Sequence, residues 1–135
     1  MSMEKKNRVL IVDDDSSNLM ELFHILQSDY EILSANNGTS ALSKANTYLP
    51  DLILLDVIMP DMSGFEVLAE LKKTEATKEI PVILASGLSD DEDEAEGFAA
   101  GAAEYIRKPF SAAIVKARVG YQIELINLRQ ELNAR

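Results

Sequence analysis

The sequence predicts an α/β fold, a parallel sheet covered on both sides by helices, and three observations carry that prediction. Short apolar runs of strand length recur five times, a helical pattern follows each of them, and the runs are apolar on both faces, as strands buried from both sides must be. A chain of 135 residues, 47% of them hydrophobic, suits one such domain with a full core.

The first run, Val9 to Val12, ends in Asp13, Asp14 and Asp15, and Asp15, beside Ser16 and Ser17, reads as the cap of the first helix. That helix sets His24 among Leu22, Phe23, Ile25 and Leu26, which reads as a structural position. Ile32 and Leu33 mark the second strand. The third run, Leu52 to Leu55, ends in Asp56; Pro60 stops it, and Ser63 with Glu66 forms a capping-box spacing for the next helix. Pro81 then precedes the fourth run, Val82 to Ala85, which ends at Ser86. Ser89 and Glu92 repeat the capping-box spacing for a helix from about Asp90, and Gly101 stands where that helix needs a residue with positive φ. The acidic run Asp90 to Glu94 reads as its solvated first turn, favoured by the helix dipole. Tyr105 and Ile106 form the fifth strand, Lys108 follows, and the last helix starts near Ser111.

The domain needs that helix only to about Gln122, so residues 1–6 read as a tail, 7–122 as the domain and 123–135 as an extension of the helix. Tyr121, Leu125, Leu128 and Leu132 recur at spacings of four, three and four, the seam of a coiled coil about two heptads long. The extension reads as a stalk toward an effector domain, able to pair in a homodimer.

Composition narrows the function. No cysteine is present, which removes disulfides, thiolate metal sites and cysteine nucleophiles. A net charge of −10 repels phosphate backbones, so the expectation is no direct nucleic-acid binding. Apolar runs fall far short of the roughly 20 residues a membrane helix needs, and the first residues show no apolar signal core; the expectation is a cytoplasmic chain without membrane contact.

In an open parallel sheet a ligand lies beyond the carboxyl ends of the strands. Those ends are acidic here. Asp13, Asp14 and Asp56 would converge, and three carboxylates in a small volume demand a cation. Mg²⁺ (or Mn²⁺) suits them, because it takes one or two carboxylates, keeps waters and leaves room for a phosphoryl oxygen. Asp56, at the end of the central strand, is the best nucleophile, giving an acyl phosphate. Lys108 would set a charge opposite the phosphoryl oxygens, and the Ser86 hydroxyl would reach them only once they arrive, which gives two states.

The runs Val9 to Asp15, Asp51 to Gly64, Pro81 to Gly87 and Lys108 to Phe110 together resemble the receiver domains of two-component response regulators, over about residues 7 to 122. The resemblance implies a flavodoxin-like, doubly wound, five-stranded sheet in the order 2-1-3-4-5 with phosphorylation of Asp56 by a histidine kinase or phosphotransfer protein. It also implies a metal ligand from the Ile58 backbone carbonyl, a cis bond between Lys108 and Pro109, and Tyr105 as a switch aromatic that turns inward with Ser86. Such a domain catalyses only its own phosphorylation and dephosphorylation. Gly87 keeps the site entrance open. Ile58 and Leu88, both apolar, offer no side chain to orient an attacking water, so slow loss of the phosphoryl group is expected. Two other readings stay open: a phosphohydrolase of the haloacid-dehalogenase kind, imitated by Asp13 and Asp15, and a docking module without phosphate chemistry.

Overall fold

The computed structural model describes residues 6–87 and 91–134, with the side chains of 91–93 left aside. Five strands and five helices alternate: β1 (Arg8–Val12), α1 (Ser16–Leu26), β2 (Glu31–Ala35), α2 (Gly38–Tyr48), β3 (Leu52–Asp56), α3 (Gly64–Lys73), β4 (Val82–Ser86), α4 (Asp91–Ala99), β5 (Glu104–Arg107) and α5 (Ala112–Asn133). All strands are parallel, in the order β2-β1-β3-β4-β5, as the resemblance implied.

The sheet divides the core in two because side chains alternate along each strand. Leu10, Ile53, Leu55 and Leu84 meet α2 and α3 on one side, with Ala41, Val67 and Leu68 opposite them. Val9, Ile11, Leu54 and Ile83 meet α1 and α5 on the other, against Leu22, Leu26, Val115 and Val119. Each buried Val, Leu or Ile side chain among them contributes roughly 1.5–3 kcal/mol by leaving water. β3 is buried along its whole length, so the residue that ends it, Asp56, is carried into the interior by the strand before it.

Caps follow the local chemistry. Asp15 accepts from the Ser17 amide at the start of α1, Ser63 and Glu66 close a reciprocal capping box on α3, and Ser111 caps α5. Gly101, at φ +109°, ends α4. Its amide donates to Phe98 O and the Ala102 amide to Gly97 O, the paired bonds of a Schellman turn. The expected capping box of Ser89 with Glu92 lies outside the described residues, as does Leu88.

His24 is exposed on α1 and meets Phe23 edge-on, with ring centroids 6.0 Å apart. Packing against the core continues along α5 past Gln122. Ile123 is buried, Ile126 packs on the α1 and α5 side of the core, and the Asn127 amide exchanges hydrogen bonds of 3.1 and 3.2 Å with Asn7. The extension therefore lies against the bottom of the sheet before its last turns.

Candidate functional site

Parallel register decides which residues meet. Val12 pairs with Leu55, so Asp13, the next residue, stands level with Asp56; Asp56 pairs with Ala85, and Ser86 with Arg107. The residues that end or follow four strands therefore share one edge. Asp13 and Asp56 are 1% and 3% exposed, Ser86 is 1% exposed and Asp14 faces solvent. One oxygen from each of Asp13, Asp14 and Asp56 lies within 4.8 Å of the others, a spacing that a single cation can span.

Lys108 reaches into this cluster. Its Nζ lies 2.9 Å from Asp13 Oδ2 and 3.0 Å from Asp56 Oδ1. The contact with Asp56 is a directed hydrogen bond, whereas Asp13 Oδ2 is held by proximity alone and lacks hydrogen-bond geometry. Asp13 Oδ1 accepts from the Asp15 amide at 2.9 Å. Burial pushes the Asp56 carboxyl above the usual carboxylate range; the Lys108 hydrogen bond opposes this, and the Asp13 charge adds to it. Burial also works against the Lys108 ammonium, but its close contacts with the Asp13 and Asp56 carboxylates and their charges outweigh it and hold its pKa above the ordinary lysine value. The expectation had Lys108 facing phosphoryl oxygens; here its ammonium pairs with the carboxylates, the strongest negative charge within reach.

The donor set fits a hard divalent ion. It consists of carboxylate oxygens only, two of them belong to buried groups, and Asp13 Oδ2, in an ion pair with Lys108, accepts no hydrogen bond.

The chain between β3 and α3 is fixed at several points. Val57 and Met59 are buried while Ile58 between them is 59% exposed, and the Gly64 amide closes the loop onto Val57 O at 2.7 Å. A Cβ on Gly64 would collide with Asp56 O and stand 2.8 Å from Val57 Cα, so only glycine permits this closure. Asp61 ties the loop to another element: its carboxylate accepts from the Gly38 and Thr39 amides at 2.9 and 3.0 Å and from Thr39 Oγ1 at 2.9 Å. Sequence reasoning passed over Asp61, because its partners lie more than twenty residues away.

Tyr105 points inward. It is 7% exposed in the core beside α3, and its hydroxyl finds no partner among the described residues. The Lys108–Pro109 bond is cis. At Gly87 an added Cβ would meet nothing within 4 Å, so no described contact demands glycine there.

An open parallel sheet that gathers acidic groups and one lysine at its carboxyl edge is the build of a phosphoacceptor switch. The chain belongs to the response regulator receiver domain family, whose sequence profile matches residues 9–120, and is thus a receiver domain of two-component signalling. It is 43% identical over 121 residues to a Vibrio cholerae protein named “Probable cyclic di-GMP phosphodiesterase”, covering 88% of this chain and 27% of that one. It is 41% identical over 113 residues to the response regulator PleD of Caulobacter vibrioides, covering 83% and 25%. The chain thus spans about a quarter of the length of these two relatives. In structure it is similar to a CheY-like receiver domain protein of Methanospirillum hungatei, with a TM-score of 0.85 at 28% identity, covering 93% of this chain and 99% of that one.

Proposed function

We propose that Asp56 is the phosphoacceptor of this receiver domain and that the observation carrying the proposal is the convergence of three carboxylates within 4.8 Å around one ammonium. Asp13, Asp14, Asp56 and the Ile58 carbonyl would hold Mg²⁺ (or Mn²⁺). The ion supplies charge neutralisation at the phosphoryl oxygens when bound. A carboxylate oxygen of Asp56 attacks phosphorus, the bond to the donor nitrogen of a phosphohistidine breaks, and the imidazole leaves with the electron pair. The donor is a histidine kinase or phosphotransfer protein. Lys108 exchanges its carboxylate partners for the incoming phosphoryl oxygens, and Ser86, level with them at the end of β4, donates its hydroxyl. The inward ring of Tyr105 is the partner state of that shift.

The domain acts only on its own aspartate. The exposed apolar side chain of Ile58 supports slow dephosphorylation, since it cannot orient a water; a phosphoryl half-life of seconds in a radiolabel chase would contradict this. Residues 1–6 are a tail, and an effector domain follows α5, which the greater length of the relatives supports. The seam on α5 pairs two copies. A cytoplasmic location suits a domain that takes its phosphoryl group from a histidine kinase; no described helix is long and apolar enough to cross a membrane, and the net charge of −10 disfavours nucleic acid.

Incubation with acetyl phosphate and Mg²⁺ followed by intact mass tests the central claim. One added phosphoryl group that requires Mg²⁺ and is absent in Asp56→Asn is the expected result. No gain from acetyl phosphate or from a phosphorylated histidine donor would favour a docking module, and turnover of small phosphomonoesters would favour the haloacid-dehalogenase reading.

A further inference from the structure

We infer that Asp61 is a positioning residue that holds the loop after β3 in the shape that offers the Ile58 carbonyl to the metal; the inference rests on the phosphoacceptor reading. Loop 57–63 runs from the buried nucleophile strand to the cap of α3, and its two ends are fixed by the Gly64 bond to Val57 O and by the Ser63 capping box. Between them stands Ile58, exposed and with no side-chain anchor of its own. A peptide plane in such a loop is free to rotate unless a neighbour pins it.

Asp61 supplies the pin, by tying the loop to α2 outside it. Its two carboxylate oxygens divide the work: Oδ1 accepts from the Gly38 and Met62 amides, each at 2.9 Å, and Oδ2 accepts from the Thr39 amide and hydroxyl at 3.0 and 2.9 Å. Gly38 and Thr39 are the first two residues of α2, whose unpaired amides attract negative charge. Asn37 already satisfies the Ser40 amide, so Asp61 completes the set of amides at that helix end. The carboxyl titrates at about 2, as those bonds to Gly38 and Thr39 require.

Shape reinforces the tether. A Cβ on Gly38 would stand 2.8 Å from Met62 Cβ and 3.0 Å from Val67 Cγ2, so α2 and the loop approach as closely as a bare backbone permits. The loop is thereby clamped between β3 and α2, with Ile58 three residues from the tether. Groups that orient a metal ligand without touching the metal typically change affinity by about 10- to 100-fold when removed.

The test is titration with Mg²⁺ alone, followed by amide chemical shifts of residues 56–59, in wild type, Asp61→Ala, Asp61→Asn and Thr77→Val. Thr77 bonds Leu71 O at the opposite end of the sheet, so its variant loses stability without touching the loop. Asp61→Ala should weaken Mg²⁺ about tenfold, Asp61→Asn less, because its remaining oxygen still accepts, and Thr77→Val not at all at a comparable loss of Tm. Wild-type affinity in a folded Asp61→Ala, or equal weakening in Thr77→Val, overturns the inference. Should Asp61→Ala not fold, wild-type affinity in a folded Asp61→Asn overturns it in the same way, and weakened affinity there supports it. Absence of any Mg²⁺ response in wild type would instead sink the phosphoacceptor reading beneath it.

Discussion

Asp56 stands in the fold at a cost to stability. Its carboxyl is buried beside the Asp13 carboxylate, and burial, more than repulsion, raises its pKa above the ordinary range. The folded chain then binds that proton more tightly than the unfolded one. Stability from this group is full below the unfolded carboxylate range and is lost as pH rises through the raised value. Asp56→Asn removes the buried charge and keeps the shape, so in EDTA near neutral pH its Tm should exceed that of wild type by about 3–5 °C, roughly 1 kcal/mol for a domain of this size. A lower Tm in calorimetry would mean that pairing with Lys108 outweighs desolvation. Asp61 carries the opposite sign. Its pKa is depressed to about 2 by the amides of α2, so its stabilisation is present above the unfolded carboxylate range and fades as pH falls toward 2. Thermal melts of wild type and Asp61→Asn should differ at neutral pH and converge near the depressed value; a constant gap down to that pH would show that the charge of Asp61 plays no part.

At the scale of elements, the loop between β3 and α3 depends on one missing side chain. Gly64→Ala places a Cβ against Asp56 O and 2.8 Å from Val57 Cα, both main-chain atoms that cannot give way alone. It should cost more than about 2 kcal/mol in chemical denaturation, whereas Gly87→Ala, with open space around it, should stay within about 0.5 kcal/mol. If the two variants melt alike, the close approach at Gly64 is not what shapes the loop. The same contrast explains what could be read in advance. Central strands declare themselves because burial on both sides demands unbroken apolar runs, as in Leu52 to Leu55; β2, at the sheet edge, exposes Glu31 and Ser34 and shows only Ile32 and Leu33. Asp13, Asp56, Ser86 and Lys108 were legible because strand ends are local features and parallel register brings them level. Asp61 with Gly38, or Asn7 with Asn127, join segments far apart in sequence, and residue type alone names no partner. The packing of Ile123 and Ile126 is of the same kind, since it depends on what lies beneath α5, which no helical periodicity reveals.

For the whole molecule the question is what covers α5. One face of that helix, with Val115, Val119, Gln122 and Ile123, is buried on the sheet, while Ile114, Tyr121, Leu125, Leu128 and Leu132 form an exposed stripe on the other. Extending the seam back by one heptad from Tyr121 reaches Ile114, so the stripe runs about 27 Å along the helix. With Tyr121 and Leu128 as d and Leu125 and Leu132 as a, Glu124 falls at g and Arg129 at e, five residues apart. In a parallel, in-register pair those two positions meet across the seam as opposite charges; in an antiparallel pair g faces g, and Glu124 would meet an acidic neighbour. Arg129 is available for this, since its contact with Glu79 is 3.9 Å long and both side chains are exposed. The chain has no cysteine, so single substitutions report geometry directly. Ile114→Cys and Leu132→Cys should each form a disulfide between identical copies under mild oxidation if the pairing is parallel. An antiparallel pair would instead cross-link only a mixture of the two variants, and a monomer would cross-link neither. Because each copy carries a net charge of −10, added salt should tighten the pair by screening the repulsion between the two domains, despite weakening the bridge between Glu124 and Arg129. Dissociation on adding salt, followed by sedimentation, would show that the bridge rather than the apolar stripe holds the copies together.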